Sequence, residues 1–253
     1  MTRRASVAAG AVLLVAQPTA LLTVAMIGVA MLTVTVLRVT MLWVAMLWVA
    51  MIGVALTACH STPREQPWRD LFDGRSLGPF VSTQFGGEGE VAVHDGAIFL
   101  GMGSPLTGIN LRDAAAAPTG DYELEVTAAR LLGNDFFAAV TFPVGESHLT
   151  VVLGGWGGTV CGLSNLDGLD ASRNPTRALR SFVLERDYTV RIRVDAAQVT
   201  VWLDDEPFVS TPRAGVSIGL RNEMLPCVPL GVSAFATEAR IRRVRWRPCD
   251  NSR

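Results

Sequence analysis

The chain has 253 residues and a formal net charge of −1, but its charges are unevenly distributed along the sequence. All 23 acidic residues follow Cys59, and Arg38 is the one charged residue between positions 11 and 58. After Cys59, 19 basic residues stand against 23 acidic ones, so this weakly acidic part lacks the clustered basic surface of a nucleic-acid-binding protein. Its length suits a single β-sandwich domain that buries its core without help from disulfides.

The N-terminal part is apolar and ends in a short motif. Residues 39–58 contain no charge and are long enough to span a bilayer. They end in Leu56-Thr57-Ala58-Cys59, which resembles a bacterial lipobox, where small residues precede a cysteine that receives a lipid. Cys59 is therefore the predicted lipidation site. The alternative is an uncleaved membrane anchor with Cys59 as the first residue outside it, and both interpretations place the folded part outside the cytoplasm.

The other cysteines and the histidines show no metal-binding spacing. Cys161 lies in an apolar run and is predicted to be a small buried core residue. Cys227 and Cys249 could form a disulfide in an oxidising compartment. The three histidines are scattered, so no zinc site is predicted.

Alternation of apolar and polar residues dominates the sequence after residue 67 and predicts β-strands. In residues 121–130, Tyr122, Leu124 and Val126 share one face, and residues 187–194 repeat the pattern. Residues 199–209 predict a hairpin that turns at Asp204-Asp205, and residues 136–142 predict a central strand that is apolar on both faces. Residues 239–246 alternate with one slip, which a β-bulge would correct. About twelve short strands separated by turn residues are typical of a sandwich or jelly roll.

The start of this region carries a family resemblance. Trp68 to Leu77 read WRDLFDGRSL, which resembles the LFDGKSL-x-GW motif of the 3-keto-disaccharide hydrolase family, although Pro79-Phe80 replace the Gly-Trp pair. Residues 94–98, 121–126 and 239–245 are similar to further strand patterns of that family. The resemblance implies a concanavalin A-like jelly roll and cleavage or binding of 3-keto sugars or related saccharides. Within the motif, Asp73-Gly74 is expected to form a structural turn.

A glycine-rich segment, residues 154–174, is the candidate ligand site. Trp156 has two glycines on each side, which would leave its indole free to stack on a sugar ring; the alternative is a core tryptophan. The following residues 164–174 are rich in short polar side chains, and Asn165 and Asn174 are predicted to contact a hydroxyl-rich ligand. Together with Asp167 and Asp170, they could also hold Ca²⁺, although the order of an EF-hand is missing.

Carboxylates in and after this segment are the candidate catalytic groups. Glycoside hydrolysis commonly uses two carboxylates, and the predicted ones are Asp167 and Asp170, with Glu185 as a third. Elimination from a 3-keto sugar would require one base. The arginines at positions 240, 242, 243, 245 and 247 are predicted to form the solvent face of an edge strand.

The sequence thus predicts an apolar signal or membrane anchor (residues 1–58), a linker from the lipidated cysteine (59–67) and a jelly-roll β-sandwich (68–249). The predicted function is that of an exported, membrane-anchored, carbohydrate-active protein resembling 3-keto-glycoside hydrolases. The alternative is a non-catalytic saccharide-binding or cell-envelope interaction module on the same fold.

Overall fold

A computed structural model describes residues 18–57 and 66–249 of the protein and divides the chain into an N-terminal unit and a β domain. The N-terminal unit contains one helix, α1 (Pro18–Thr57), of 40 residues. Within α1, the segment Met31–Trp48 is long and apolar enough to cross a membrane, and its side chains are exposed. This helix fits a signal sequence or an anchor. Cys59 and most of the predicted linker lie outside the described residues.

The described part of the β domain contains fifteen strands. In chain order they are β1 (Arg69–Asp70), β2 (Phe80–Ser82), β3 (Val91–His94), β4 (Ala97–Leu100), β5 (Leu106–Leu111), β6 (Tyr122–Gly133), β7 (Ala138–Val144), β8 (Ser147–Gly155), β9 (Val160–Ser164), β10 (Ala178–Leu179), β11 (Tyr188–Val194), β12 (Gln198–Leu203), β13 (Glu206–Pro212), β14 (Gly231–Phe235) and β15 (Thr237–Pro248). Two short 3-10 helices, Ala114–Ala116 and Asn222–Cys227, lie between strands.

The strands form two antiparallel sheets. The eight-stranded sheet has the order β13-β12-β11-β6-β15-β4-β3, with β1 also paired to β15, and the seven-stranded sheet has the order β10-β9-β8-β7-β14-β5-β2. Alternate residues of both sheets meet in one core, which includes Leu124, Val140, Val151, Ile192 and Val232. The predicted fold class, a jelly-roll β-sandwich, is confirmed.

Strand β15 occupies a different place from the one predicted. Its register shifts between Ile241 and Arg243, so the predicted bulge is confirmed and Val244 returns to the core. The prediction of an edge strand was wrong, because β15 pairs with β6 on one side and with β4 and β1 on the other. Its arginines lie on the outer face beside acidic neighbours: Arg245 Nε, for example, donates to Glu125 Oε1 at 2.8 Å.

Two predicted turns are confirmed. Asp204 and Asp205 both have positive φ, 51° and 64°, and connect β12 to β13. In the LFDG motif, Asp73 Oδ1 accepts hydrogen bonds from the backbone N–H groups of Arg75 (2.8 Å) and Ser76 (2.9 Å), and these bonds hold the pKa of the Asp73 carboxyl below its ordinary value. The motif is a structural turn at the start of the domain.

The cysteines of the β domain are free thiols. Cys161 is a buried core residue, as predicted, and burial raises its pKa to about 11. Cys227 and Cys249 do not pair, because Cys227 is buried within the second 3-10 helix while Cys249 follows β15 of the eight-stranded sheet.

Candidate functional site

A cleft of about 210 Å³ lies on the outer face of the seven-stranded sheet. Its buried lining comes from neighbouring strands: Ala139 of β7, Thr150 and Val152 of β8, and Ser164 of β9. Phe136, Phe235 and Met224 add apolar surface. The more exposed lining residues are Asp135, Trp156, Arg221 and Glu223.

Sheet register and a short helix together create this cleft. In β7 and β8 the residues that alternate with the core positions point away from the sandwich, which places Ala139 and Val152 opposite each other on the outer face. The 3-10 helix Asn222–Cys227 covers part of that face, and Met224 and Cys227 form a second apolar cluster there. Because the helix covers only part of the sheet, the rest of the outer face stays open beside it, and the helix forms one side of the cleft.

Trp156 lies at the turn between β8 and β9 and is 42% exposed, so it is not a core residue. The backbone has positive φ at Trp156 (47°) and at Gly154 (74°), Gly157 (89°) and Gly158 (105°). A Cβ at Gly154 would lie 2.3 Å from a terminal nitrogen of Arg130. The turn therefore requires glycine both for its backbone angles and for space.

Arg130 fixes this turn from inside the sandwich. Its side chain is buried, and its Nη2 donates to the carbonyl oxygens of Gly154 (3.0 Å) and Gly158 (3.1 Å). Burial lowers the pKa of Arg130, and the negative charge of Asp135 opposes that shift. Asp135 Oδ2 also accepts from the backbone N–H of Gly157 at 3.3 Å. Hydrogen bonds to the side chains of Arg130 and Asp135 thus stabilise the turn at Gly154, Gly157 and Gly158, and the turn places Trp156 beside the cleft.

Asp170 lies behind the cleft as part of an ion-pair network. It is buried and accepts hydrogen bonds from Arg173 Nη2 (2.9 Å), from the backbone N–H of Ser172 (2.9 Å) and from Nη1 of the cleft residue Arg221 (3.2 Å). Burial alone would raise its pKa, but the hydrogen bonds from Ser172 and Arg173 outweigh burial, and the pKa of Asp170 is lowered. A general acid for glycoside cleavage needs the opposite shift.

The other two predicted catalytic carboxylates lie in separate turns. Asp167 is exposed and bonds Ser217: its Oδ1 accepts from the backbone N–H at 2.7 Å. Glu185 is exposed in the turn before β11, rather than on a strand, and its own N–H donates to the carbonyl of Arg130 at 2.7 Å. Neither residue lines the cleft, nor does Asp170.

The two predicted asparagines hold the polar segment together. Asn174 is buried: its amide donates to the carbonyl oxygen of Leu163 at 2.6 Å, and its Oδ1 accepts from Thr176. Asn165 is half-buried, pairs through its backbone with Gly219, and its Oδ1 accepts from Ser164. These hydrogen bonds connect both asparagines to neighbouring residues and hold the polar segment in its folded conformation.

The four oxygen-bearing residues predicted as a calcium set are engaged with different parts of the domain. Asp167 bonds Ser217, Asp170 bonds Arg221, and Asn174 bonds Leu163. Among the described residues, no group of three or more histidine, cysteine or acidic side chains could hold a metal ion.

Sequence reasoning missed most of the cleft. Asp135, Phe136, Arg221, Glu223 and Phe235 come from three segments that approach each other through sheet pairing and the 3-10 helix. The available signal was local: Asn134-Asp135 interrupts an apolar run, and residues 221–227 mix charged and apolar side chains. Nothing in the spacing of these segments predicts that they share a site with Trp156.

No protein-family model matches the chain, and no curated protein matches it in sequence. Solved structures match its fold. The carbohydrate recognition domain of Emp47p has a TM-score of 0.50 at 15% identity, over 75% of this chain and 97% of that domain. The apo Crh5 transglycosylase has a TM-score of 0.52 at 12% identity, over 74% of this chain and 88% of that protein. The VIP36 exoplasmic/lumenal domain, solved with Ca²⁺ and Man3GlcNAc, has a TM-score of 0.47 at 12% identity, over 72% and 88% of the two chains. At these identities the two matches with TM-scores of 0.50 and 0.52 show a shared jelly-roll β-sandwich fold and nothing further.

Proposed function

We propose that this protein is a membrane-attached, saccharide-binding protein whose ligand lies in the cleft against Trp156. The observation that supports the proposal most directly is an exposed indole, carried on a hydrogen-bonded turn, beside a cleft with an apolar bottom and carboxylates at the rim. A pyranose ring has an apolar C–H face and an edge of hydroxyl groups. The indole and apolar bottom suit the face, and the oxygens of Asp135 and Glu223 can accept from the hydroxyls. The fold shared with Emp47p and Crh5 agrees with this proposal.

Membrane attachment forms the second part of the proposal. α1 supplies an apolar segment of sufficient length, and Leu56-Thr57-Ala58-Cys59 resembles a lipobox. The β domain would be exported and held at the cell envelope either by a lipid on Cys59 or by α1 itself. Binding assays run with and without Ca²⁺ test whether the sequence-predicted calcium contributes to saccharide binding.

A titration of the detergent-solubilised full chain with a panel of methyl glycosides tests saccharide binding. Trp156→Ala is expected to weaken binding at least tenfold, about 1.4 kcal/mol or more, because the stacking surface is lost. The matched control is Trp202→Ala, since Trp202 lies on the other sheet beneath Arg191, 4.5 Å from the ring centre. Equal affinities of Trp156→Ala and the unaltered chain would refute the site, and absence of binding to every glycoside would refute the function.

Hydrolysis or elimination of 3-keto-glycosides is the second candidate function, favoured by the two carboxylates that line the cleft and by the LFDG resemblance. Sugar release from 3-keto-glycosides by the full chain tests it. Asp135→Asn and Glu223→Gln examine the cleft carboxylates, whereas Asp167→Asn, Asp170→Asn and Glu185→Gln examine those predicted from sequence. Turnover that survives in all five variants would exclude these groups as acid or base, and absence of turnover together with saturable binding would favour the binding protein.

A further inference from the structure

The charged groups of the cleft are mostly acceptors. Its described lining contains two acidic side chains, Asp135 and Glu223, and one basic side chain, Arg221. Asp135 already accepts from the N–H groups of Phe136 (2.8 Å) and Gly157, but each carboxylate oxygen can accept more than one hydrogen bond. The rim therefore offers free acceptor capacity for groups that donate.

The cation of the cleft is shared between two carboxylates. Arg221 donates through Nε to Glu223, and through Nη1 to Asp170 at 3.2 Å. The Asp170 side chain is 7% exposed and that of Arg221 is 39% exposed, so solvent screens this second pair only in part. Arg221 keeps one terminal nitrogen for other partners, but its charge is already balanced. An incoming anion would have to compete with both carboxylates for the same guanidinium.

The hydroxyl groups at the bottom of the cleft bond each other or their neighbours. Thr150 and Thr141 pair through their hydroxyls at 2.8 Å, and Ser164 Oγ donates to Asn165 Oδ1 at 3.2 Å. The remaining bottom surface, Ala139 and Val152, is apolar. A ligand that carries only acceptors on its charged group would thus meet two carboxylates at the rim, a guanidinium that already pairs with carboxylates, and hydroxyls that are already bonded to protein partners.

From this balance, and resting on the proposed saccharide-binding function, we infer that the cleft takes one uncharged pyranose ring and discriminates against uronic acids and sulfated sugars. Hydroxyl groups of a neutral sugar donate to Asp135 and Glu223 while the ring's apolar face packs on Trp156. A carboxylate or sulfate on the sugar is repelled by the same two side chains. The volume of about 210 Å³ is below the usual range for drug-sized ligands and suits a single ring.

Matched pairs of glycosides test the inference. The full chain in detergent is titrated, at about 0.01 M salt where charge interactions are weakly screened, with methyl gluco-, galacto- and mannopyranosides and with the corresponding uronates. Each uronate replaces only the C6 hydroxymethyl group by a carboxylate. For any ring that binds, the neutral member is expected to bind at least tenfold tighter. A uronate that binds equally or more tightly would overturn the inference while leaving the proposed function standing, and absence of binding by both members of every pair would overturn both.

The electrostatic origin of the selectivity is tested with Glu223→Gln. This variant keeps the side-chain shape and removes one rim charge, so the preference for the neutral sugar over its uronate is expected to fall about threefold or more. The matched control is Glu206→Gln, an exposed residue of β13 on the other sheet, which should leave the preference unchanged. An unchanged preference in Glu223→Gln, or an equal fall in the control, would show that the rim charge does not set the selectivity.

Discussion

At the residue scale, the site depends on buried ionic groups that the sequence does not reveal. Asp170 and Arg221 are 51 positions apart, yet they form the ion pair that links the polar segment to the cleft. From the sequence, Asp170 was an attractive acid or base because it stands in a polar loop. The structure shows it buried among donors, one of which, Arg221, is a partner that no local pattern could identify.

The first prediction at this scale concerns pH. The folded-state pKa of Asp170 is lowered, so its ionisation stabilises the protein above the unfolded-state value of about 3.9 and this stabilisation is lost as pH falls through the folded-state pKa. Asp170→Asn should therefore lower the free energy of unfolding at pH 7 by about 1.5–3 kcal/mol, because it removes a buried carboxylate that accepts hydrogen bonds from two partly exposed arginines. The gap to the unaltered protein should narrow below about pH 4.

Denaturant unfolding of both proteins between pH 3 and pH 7 measures this gap. Glu206→Gln is the control, since that side chain is exposed and should change stability by less than about 0.5 kcal/mol. A gap that stays constant with pH would contradict the stabilising role of the Asp170 carboxylate.

The second residue-scale prediction concerns Arg130. Arg130→Met removes two charge-assisted hydrogen bonds to the carbonyls of Gly154 and Gly158, each worth about 1.5–3 kcal/mol. It also removes the buried Nε of Arg130, which has no hydrogen-bond partner, so the free energy of unfolding should fall by less than the sum of the two bonds, about 2–4 kcal/mol. It should also weaken glycoside binding, since the turn that carries Trp156 loses its support. Arg75→Met, at an exposed position, is the control for both readouts. Unchanged stability would contradict the contribution of the two bonds, and unchanged binding would contradict the positioning role.

At the element scale, strand identity follows from the sequence but strand position does not. Alternation predicts β6, β11 and the β12–β13 hairpin because one face of each strand packs into the core while the other carries polar side chains. The slip in the alternation of β15 predicts a bulge for the same reason, because the bulge returns Val244 to the core. Whether β15 lies at an edge or in the middle depends on which strands pair with it. Its outward-facing arginines suit both places, because they bond acidic residues on the neighbouring strand.

The prediction at this scale concerns the β12–β13 turn. Asp204 and Asp205 both adopt positive φ, and the tight hairpin turn of this type favours glycine at its second position. Asp205→Gly should raise the free energy of unfolding by about 0.5–1 kcal/mol. Thermal unfolding measures the change, with Ala197→Gly in the β11–β12 turn as control, where φ is not positive and no gain is expected. A lower free energy of unfolding in Asp205→Gly would contradict the expectation that positive φ at Asp205 is unfavourable.

At the scale of the whole molecule, the fold was predictable and the cleft was only partly so. Repeated alternation and turn residues indicate a sandwich, and Trp156 between its glycines indicates an unusual turn. The rest of the cleft required the order of the strands, since Phe136 and Phe235 are far apart in sequence, before β7 and at the end of β14. The 3-10 helix that bounds the cleft has no periodicity from which to predict it.

The prediction about attachment also belongs to this scale. If Cys59 is lipidated, Cys59→Ser should abolish the lipid, and mass spectrometry of the protein expressed in a bacterium would show the loss of the acylated mature form. Cys249→Ser, which leaves the motif intact, is the control. A chain that retains residues 1–58 and carries no lipid in the unaltered protein would favour attachment by α1 and contradict the lipobox interpretation.

The central claim, that a saccharide lies against Trp156, is tested most directly by ¹⁹F NMR of the full chain labelled with 5-fluorotryptophan. The protein has six tryptophans, and Trp156→Phe and Trp202→Phe assign the two resonances of interest. During titration with a neutral glycoside that binds, the Trp156 resonance should shift and saturate with the binding curve while the Trp202 resonance stays in place. Saturable binding that leaves the Trp156 resonance unmoved would contradict the claim.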